Sequence, residues 1–147
     1  MRTTLENEIR RAITDLKIEE KVKEYFGAER KAIIQKLKDI FVNGEPRVWW
    51  LSLKHIPRSF AFIQDEPYKE IAGFFKSEEE VWFVVEDADN DDQLLYKTSV
   101  SNVIDIISAC SYFEYNIVSE NCDKLLCEND HDEFLYIYIG ENPGTVK

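Results

Sequence analysis

The segment VWFVVED at residues 81–87 narrows the range of folds more than any other part of the sequence. Successive side chains of a strand point to opposite faces of its sheet. Alternation places Val81, Phe83 and Val85 on one face and Trp82 and Val84 on the other. Both faces are apolar, so we expect a central strand in a sheet that is covered on both sides.

The N-terminal part of the chain carries helix signals. Thr3 and Glu6 form a capping-box pattern, which predicts a helix start here. An apolar stripe then extends to Gly27, with a break into two helices allowed for at residues 15–18. A second amphipathic helix is predicted over residues 28–42, which end in an Asn-Gly pair. Both helices need an apolar surface on which to bury their stripes.

The rest of the chain is predicted to be mostly strand. A short helix is expected after Pro67 and a further helix at about 100–110, capped by Ser99 or Ser101. Strands are predicted at residues 47–53, 81–87, 94–98, 112–119, 124–128 and 133–140, several of them joined by short turns.

Together these elements predict a single α+β domain over residues 1–147. Two N-terminal amphipathic helices pack on a mostly antiparallel sheet of about five to six strands, with one further helix near residues 100–110. No run of residues approaches the 18 or so apolar residues of a membrane span, and the N-terminus lacks the apolar core of a signal peptide. We therefore expect a soluble, cytoplasmic protein.

Charge is distributed unevenly along the chain. The whole sequence has 18 basic and 29 acidic residues and a formal net charge of −11. Residues 1–75 carry 14 basic and 12 acidic side chains, whereas residues 76–147 carry 4 and 17. Direct binding of nucleic acid or of an anionic membrane by the second half is thus not expected.

Two acidic turns account for much of this excess, and one resembles part of a calcium loop. Asp87, Asp89 and Asp91 match the first three ligand positions of an EF-hand loop. Asp92 stands where the glycine is required and Thr98 where the bidentate glutamate belongs. The segment is therefore interpreted as a solvated hairpin turn, and no metal is predicted there.

Three cysteines, Cys110, Cys122 and Cys127, are too few and odd in number for a disulfide scaffold, and we expect reduced thiols. Cys122, Cys127 and His131 have a spacing that matches no common zinc site. A buried inert thiol is the better interpretation of Cys127, although a small enzyme or metal-binding protein using Cys127 and His131 stays an alternative. Glycine-rich phosphate loops and common catalytic motifs are missing from the sequence, so no cofactor is predicted.

The last predicted strand has one aliphatic and one aromatic face. Phe134, Tyr136 and Tyr138 alternate with Leu135, Ile137 and Ile139. The aromatic face is either covered or open to a partner. Another helix or the second subunit of a homodimer could cover it. If it is open, the acidic turns would flank it. The predicted partner-binding set is then Asp87, Asp89, Asp91, Asp92, Glu128, Asp130, Asp132, Glu133, Tyr136 and Tyr138.

Residues 80–140 resemble a family of small, uncharacterised bacterial proteins. The resemblance rests on WFVVED, on the pattern C-x-Y-F-E-Y-x-I-V and on L-L-C-E-N-x-H before the final strand. Where the family pattern has two consecutive histidines after C-E-N, this chain has Asp130 and His131. In build alone, the chain also looks similar to bacterial immunity proteins such as the Smi1/Knr4-like group.

These features favour a non-enzymatic binding protein of the immunity or inhibitor type, which neutralises a basic protein partner such as a toxin. The acidic half, the tyrosine-rich strands and the lack of catalytic motifs support this hypothesis. One alternative is a DNA mimic that inhibits a nuclease or a DNA-binding protein. A second alternative is a small enzyme or metal-binding protein that uses Cys127 and His131. A third is a homodimeric domain in which the aromatic face forms the dimer interface.

Overall fold

A computed structural model describes residues 3–61, 67–89, 93–129 and 132–139. Its α-helices are α1 (Thr4–Asp15), α2 (Gly27–Phe41) and α3 (Val100–Ala109). Its strands are β1 (Lys23–Tyr25), β2 (Arg58–Ala61), β3 (Glu80–Val85), β4 (Leu94–Ser99), β5 (Tyr115–Ser119), β6 (Lys124–Glu128) and β7 (Glu133–Tyr138). Short 3-10 helices lie at Glu19–Lys21, Trp49–Leu51 and Pro67–Gly73.

The seven strands form one sheet in the order β1-β4-β3-β5-β6-β7-β2. Every neighbouring pair is antiparallel, which confirms the α+β class and the antiparallel sheet. β3 lies between β4 and β5, and Val81, Phe83, Val84 and Val85 are fully buried. The central strand predicted from VWFVVED is confirmed.

Two hydrophobic cores cover the two faces of the sheet. The first joins α1, α3 and the 3-10 helix Pro67–Gly73 to aromatic strand residues such as Phe83, Tyr115 and Phe134. The second joins α2 and Trp49 to aliphatic strand residues such as Val118 and Leu125. The two N-terminal helices thus lie on opposite faces, because α1 contributes to one core and α2 to the other.

Helix starts follow the capping signals in the sequence. The Glu6 amide donates to Thr3 Oγ1 at 3.1 Å and the Thr3 amide donates to the Glu6 carboxylate at 2.8 Å, so the predicted capping box is present. Ser99 caps α3 by accepting from the Asn102 amide. A helix continuing to Gly27 is wrong, because the chain turns at Lys17, whose φ is 61°, and then forms β1.

A strand at residues 47–53 is also wrong. Trp49–Leu51 is a 3-10 helix, and Trp49 is fully buried in the second core. The segment pairs with the end of α2 rather than with the sheet, since Leu53 forms an isolated bridge with Val42. Burial of the indole ring outweighs the β-propensity of the segment. The edge strands β1 and β2, of three and four residues, bring the sheet to seven strands rather than five to six.

Candidate functional site

The topology brings the two acidic turns to one end of the sheet. The β3–β4 turn follows Val85, which pairs with both Leu94 and Tyr115, and the β6–β7 turn follows Glu128, which pairs with Phe134. Three strand spacings, about 14 Å, separate the two turns across the sheet. We call this region the acidic end, and its described residues are Glu86, Asp87, Asp89, Glu114, Glu128, Asp132 and Glu133.

Two carboxylates predicted to bind a partner are buried instead. Asp87 accepts from Thr3 Oγ1 at 2.5 Å and from the Asp89 amide at 3.1 Å, so it ties the start of α1 to the β3–β4 turn. Glu128 accepts from the Tyr115 hydroxyl at 2.5 Å inside the first core. Burial raises the pKa of Glu128, and the nearby Asp132 and Glu114 charges add to the rise. Asp87 and Glu128 therefore each hold two parts of the fold together.

Among the described acids of the predicted set, Asp89 and Asp132 are exposed. Glu133 is half-buried, and its carboxylate accepts from the Asn129 side chain at 3.1 Å. Within the described part of the chain, no lysine or arginine lies within ion-pair distance of Asp89 or Asp132. The predictions for Asp91, Asp92 and Asp130 lie outside the described residues.

A second pair of carboxylates lies between the turns. Glu86 follows β3 and Glu114 precedes β5, and the Glu86 amide donates to the Glu114 carbonyl at 2.9 Å. The Glu86 carboxylate accepts from Asn116 Nδ2 at 3.0 Å, from Gln93 Nε2 at 3.2 Å and from the Trp49 amide at 3.4 Å. Burial raises the pKa of Glu86, and the neighbouring Glu114 charge adds to the rise.

Glu114 has one neutral and one cationic partner. Trp50 Nε1 donates to its carboxylate at 3.1 Å, and Arg47 Nη1 lies 3.5 Å from the other oxygen. The Arg47 side chain is 64% exposed, whereas that of Glu114 is 18% exposed. An exposed contact of this length is a weak ion pair.

These two carboxylates line a cavity of about 660 Å³ at the acidic end. Asp87, Lys38 and Glu45 also line it, so its wall has four acidic and two basic side chains. Lys38 pairs with Glu45. The ring of Tyr112, which is 65% exposed, lines the cavity as well. A concave site with a surplus of carboxylates suits a cationic ligand.

The two tyrosines do not form an open patch between the acidic turns. Phe134 is fully buried, and the Tyr136 ring packs against Phe74 with ring centroids 5.0 Å apart. Phe74, which directly follows the 3-10 helix Pro67–Gly73, therefore covers part of this face, and Tyr136 also lines a cavity there. Tyr138 is 47% exposed but pairs with Lys124 at the other end of the sheet, about 17 Å along β7 from Glu133.

The thiol of Cys127 is fully buried in β6. Burial raises its pKa, so the thiol stays protonated and shielded from solvent. His131, its predicted partner, lies outside the described residues. Among the residues that the structure describes, no group of three or more His, Cys, Asp or Glu side chains could hold a metal ion.

Sequence reasoning missed Glu86, Glu114, Arg47 and Trp50. Glu86 was part of the VWFVVED strand, yet it was not singled out, because 29 acidic residues give no reason to prefer one pair. A usable signal was the position of both glutamates within two residues of the end of a predicted strand, where antiparallel pairing of the two strands would bring them together.

The chain belongs to a family of unknown function (DUF6756), whose model matches residues 1–142. The match extends well beyond residues 80–140, on which the sequence resemblance rested, and it shows no link to Smi1/Knr4-like proteins. The comparison with curated proteins and the comparison with solved structures each found no match. No helix in the described ranges is long and apolar enough to cross a membrane.

Proposed function

We propose that this chain is a non-enzymatic acidic binding protein of the immunity or inhibitor type. It neutralises a basic protein partner, such as a toxin, which docks on the acidic end of the sheet. The observation that carries the proposal is the convergence of two acidic turns, some 40 residues apart in the chain, at one end of the fold beside a carboxylate-lined cavity.

The exposed acids provide long-range attraction for such a partner. Asp89 and Asp132 have no described cation in contact, so their field extends into solvent. Electrostatic complementarity of this kind raises the association rate more than it raises the affinity. The cavity between the turns then offers short-range contacts to the docked partner.

Burial of Asp87 and Glu128 favours a protein partner over the DNA-mimic alternative. A DNA mimic needs a regular row of exposed carboxylates in place of phosphates, and two members of the expected row point into the fold. The shielded thiol of Cys127 likewise favours a binding protein over an enzyme that uses this cysteine. We also propose a cytoplasmic location, which the three free thiols support.

A capture experiment with charge-matched variants tests the proposal. The first variant combines Asp89→Lys with Asp132→Asn, since asparagine tolerates the φ of 62° at residue 132. The control combines Glu78→Lys with Glu80→Gln, which gives the same change in net charge at two exposed positions, one just before β3 and one at its first residue, at the opposite end of the sheet. All three proteins are used to capture partners from the native host at low salt.

The proposal expects the wild type and the control to retain the same basic protein, and the acidic-end variant to lose it. Raising the salt concentration should release the protein from both, because exposed charges are screened. Failure to retain any basic protein, or equal retention by all three, would contradict the proposal. Duplex DNA that displaces the partner would instead support the DNA-mimic alternative.

A further inference from the structure

We infer that the cavity at the acidic end is a receptor for one arginine side chain of the basic partner, and that Arg47 occupies its mouth in the free protein. This inference rests on the proposed function and deepens it, because it assigns a chemical group of the partner to a defined place. It concerns Glu86, Glu114, Arg47, Trp50 and Tyr112.

Backbone pairing fixes the two carboxylates side by side. Glu86 and Glu114 are adjacent on β3 and β5, joined by the hydrogen bond from the Glu86 amide to the Glu114 carbonyl. Their carboxylates line one cavity, and the charge of Glu114 makes ionisation of Glu86 harder. A cation placed between two such groups relieves their repulsion.

The fold provides these carboxylates mainly with neutral donors. Glu86 accepts from two side-chain amides and one backbone amide, and Glu114 accepts from the Trp50 indole. Within the described residues, Arg47 is the one cationic side chain that contacts either carboxylate. The pair is therefore oriented by hydrogen bonds but only weakly neutralised.

Arg47 marks where a guanidinium fits. Its Nη1 lies 3.5 Å from Glu114, while most of its side chain is exposed to solvent. A partner guanidinium that enters more deeply can form shorter contacts with both carboxylates and displace Arg47 outward. The chain's own arginine thus competes with the partner for this place.

Arginine suits this cavity better than lysine does. The planar guanidinium has several donors in a fixed fork, so it can bond two carboxylates at once, and it is less strongly hydrated than an ammonium group. It also stacks on aromatic rings, and Tyr112 provides an exposed ring at the cavity wall.

The test is an NMR titration that follows the Trp50 indole N–H, which donates to Glu114. The probes are N-acetyl-arginine amide and N-acetyl-lysine amide. The proteins are the wild type, Arg47→Gln, Glu114→Gln and the distant control Glu120→Gln. Glutamine at residue 114 keeps an acceptor for Trp50 and keeps the size of the side chain, and a thermal melt checks that each variant is folded.

We expect the arginine probe to shift the Trp50 signal in a saturable way and to bind at least several-fold more tightly than the lysine probe. Arg47→Gln should tighten arginine binding about threefold to tenfold, Glu114→Gln should weaken it about tenfold, and Glu120→Gln should leave it unchanged. Equal binding of both probes, or unchanged or weaker binding after Arg47→Gln, would overturn the inference.

The outcomes also separate this inference from the proposed function. In one outcome the arginine probe does not shift the Trp50 signal, but the chain still captures a basic protein through Asp89 and Asp132. This outcome contradicts the arginine receptor and leaves the proposed function standing. Capture failure together with saturable arginine binding contradicts the proposed protein partner and supports a cavity for a small guanidinium ligand.

Discussion

The carboxylates at the two ends of the sheet have different partners. At the end opposite the acidic turns, Glu120 pairs with Lys97 at 3.0 Å and Glu79 lies 3.8 Å from Lys124. Both lysines also stack on aromatic rings, Lys97 on Trp82 and Lys124 on Phe75. Glu120 and Glu79 at this end are therefore each paired with a lysine.

At the acidic end, most of the described carboxylates have neutral partners or none among the described side chains. Glu128 is held by a tyrosine hydroxyl and Glu86 by amides, while Asp89 and Asp132 face solvent. Within the described residues, Glu114 is the one acid of this region that contacts a cation, and Glu45, which also lines the cavity, pairs with Lys38. Two acids at the opposite end thus pair with lysines of the fold, whereas Asp89 and Asp132 at the acidic end are exposed and have no cationic partner among the described side chains.

Reversing one buried and one exposed charge at the acidic end should have very different effects on stability. Glu128→Lys buries an ammonium group beside the Tyr115 hydroxyl and should lower the free energy of unfolding by about 3–5 kcal/mol. Asp89→Lys, at an exposed position, should change it by less than about 0.5 kcal/mol. Urea unfolding measures both. Equal losses for the two variants would contradict the division into buried and exposed acids.

The next largest effect is expected in association kinetics. Once a basic partner has been identified, Asp89→Lys with Asp132→Asn should slow its association about tenfold at low salt, because the variant loses long-range attraction. Glu78→Lys with Glu80→Gln should slow association much less. Stopped-flow mixing at several salt concentrations measures this, and a rate that falls equally in both variants would mean that only the total charge matters.

A smaller effect concerns pH. Because burial raises the pKa of Glu86 and Glu128, the folded protein binds protons more tightly than the unfolded chain between the ordinary glutamate pKa and the raised values. The stabilisation that comes from protonation is fully present below the ordinary value and is lost as the pH rises through the raised ones. The unfolding free energy should therefore fall with rising pH across this window.

The variant Glu86→Gln with Glu128→Gln should remove most of that decline, and Glu79→Gln with Glu120→Gln, at the opposite end, should keep it. Urea unfolding between about pH 4 and pH 8 covers the window. If the unfolding free energy of Glu86→Gln with Glu128→Gln falls with pH as steeply as that of the wild type, these two carboxylates do not set the pH dependence.

The smallest effect compares the two partly exposed cations. Lys97→Gln removes the ion pair with Glu120 and the contact with Trp82, and should cost about 0.5–1 kcal/mol of unfolding free energy. Arg47→Gln should cost less than about 0.5 kcal/mol, because its contact with Glu114 is long and exposed. A larger loss for Arg47 than for Lys97 would show that the acidic end also depends on its cation for folding.

Much of the fold was predictable because local signals and burial agree. The Thr3 cap, the Ser99 cap and the two apolar faces of β3 each predict one element, and each is confirmed. The prediction of a strand at residues 47–53 was wrong because strand propensity does not show that Trp49 packs in the second core.

The site was less predictable than the fold because its parts meet only through strand pairing. Glu86 and Glu114 are 28 residues apart in the sequence, and a shift of one residue in the register would separate them. The same limit applies to Tyr136, since the alternation in β7 is visible in the sequence, while the contact of Phe74 with the Tyr136 ring is not.

Amide NMR that maps the bound partner on the chain tests the proposed binding surface most directly. We expect the chemical-shift changes on adding the basic partner to concentrate at Asp89, Tyr112, Glu114 and Asp132. Changes centred on Glu78, Glu120 and Tyr138, at the opposite end of the sheet, would contradict it.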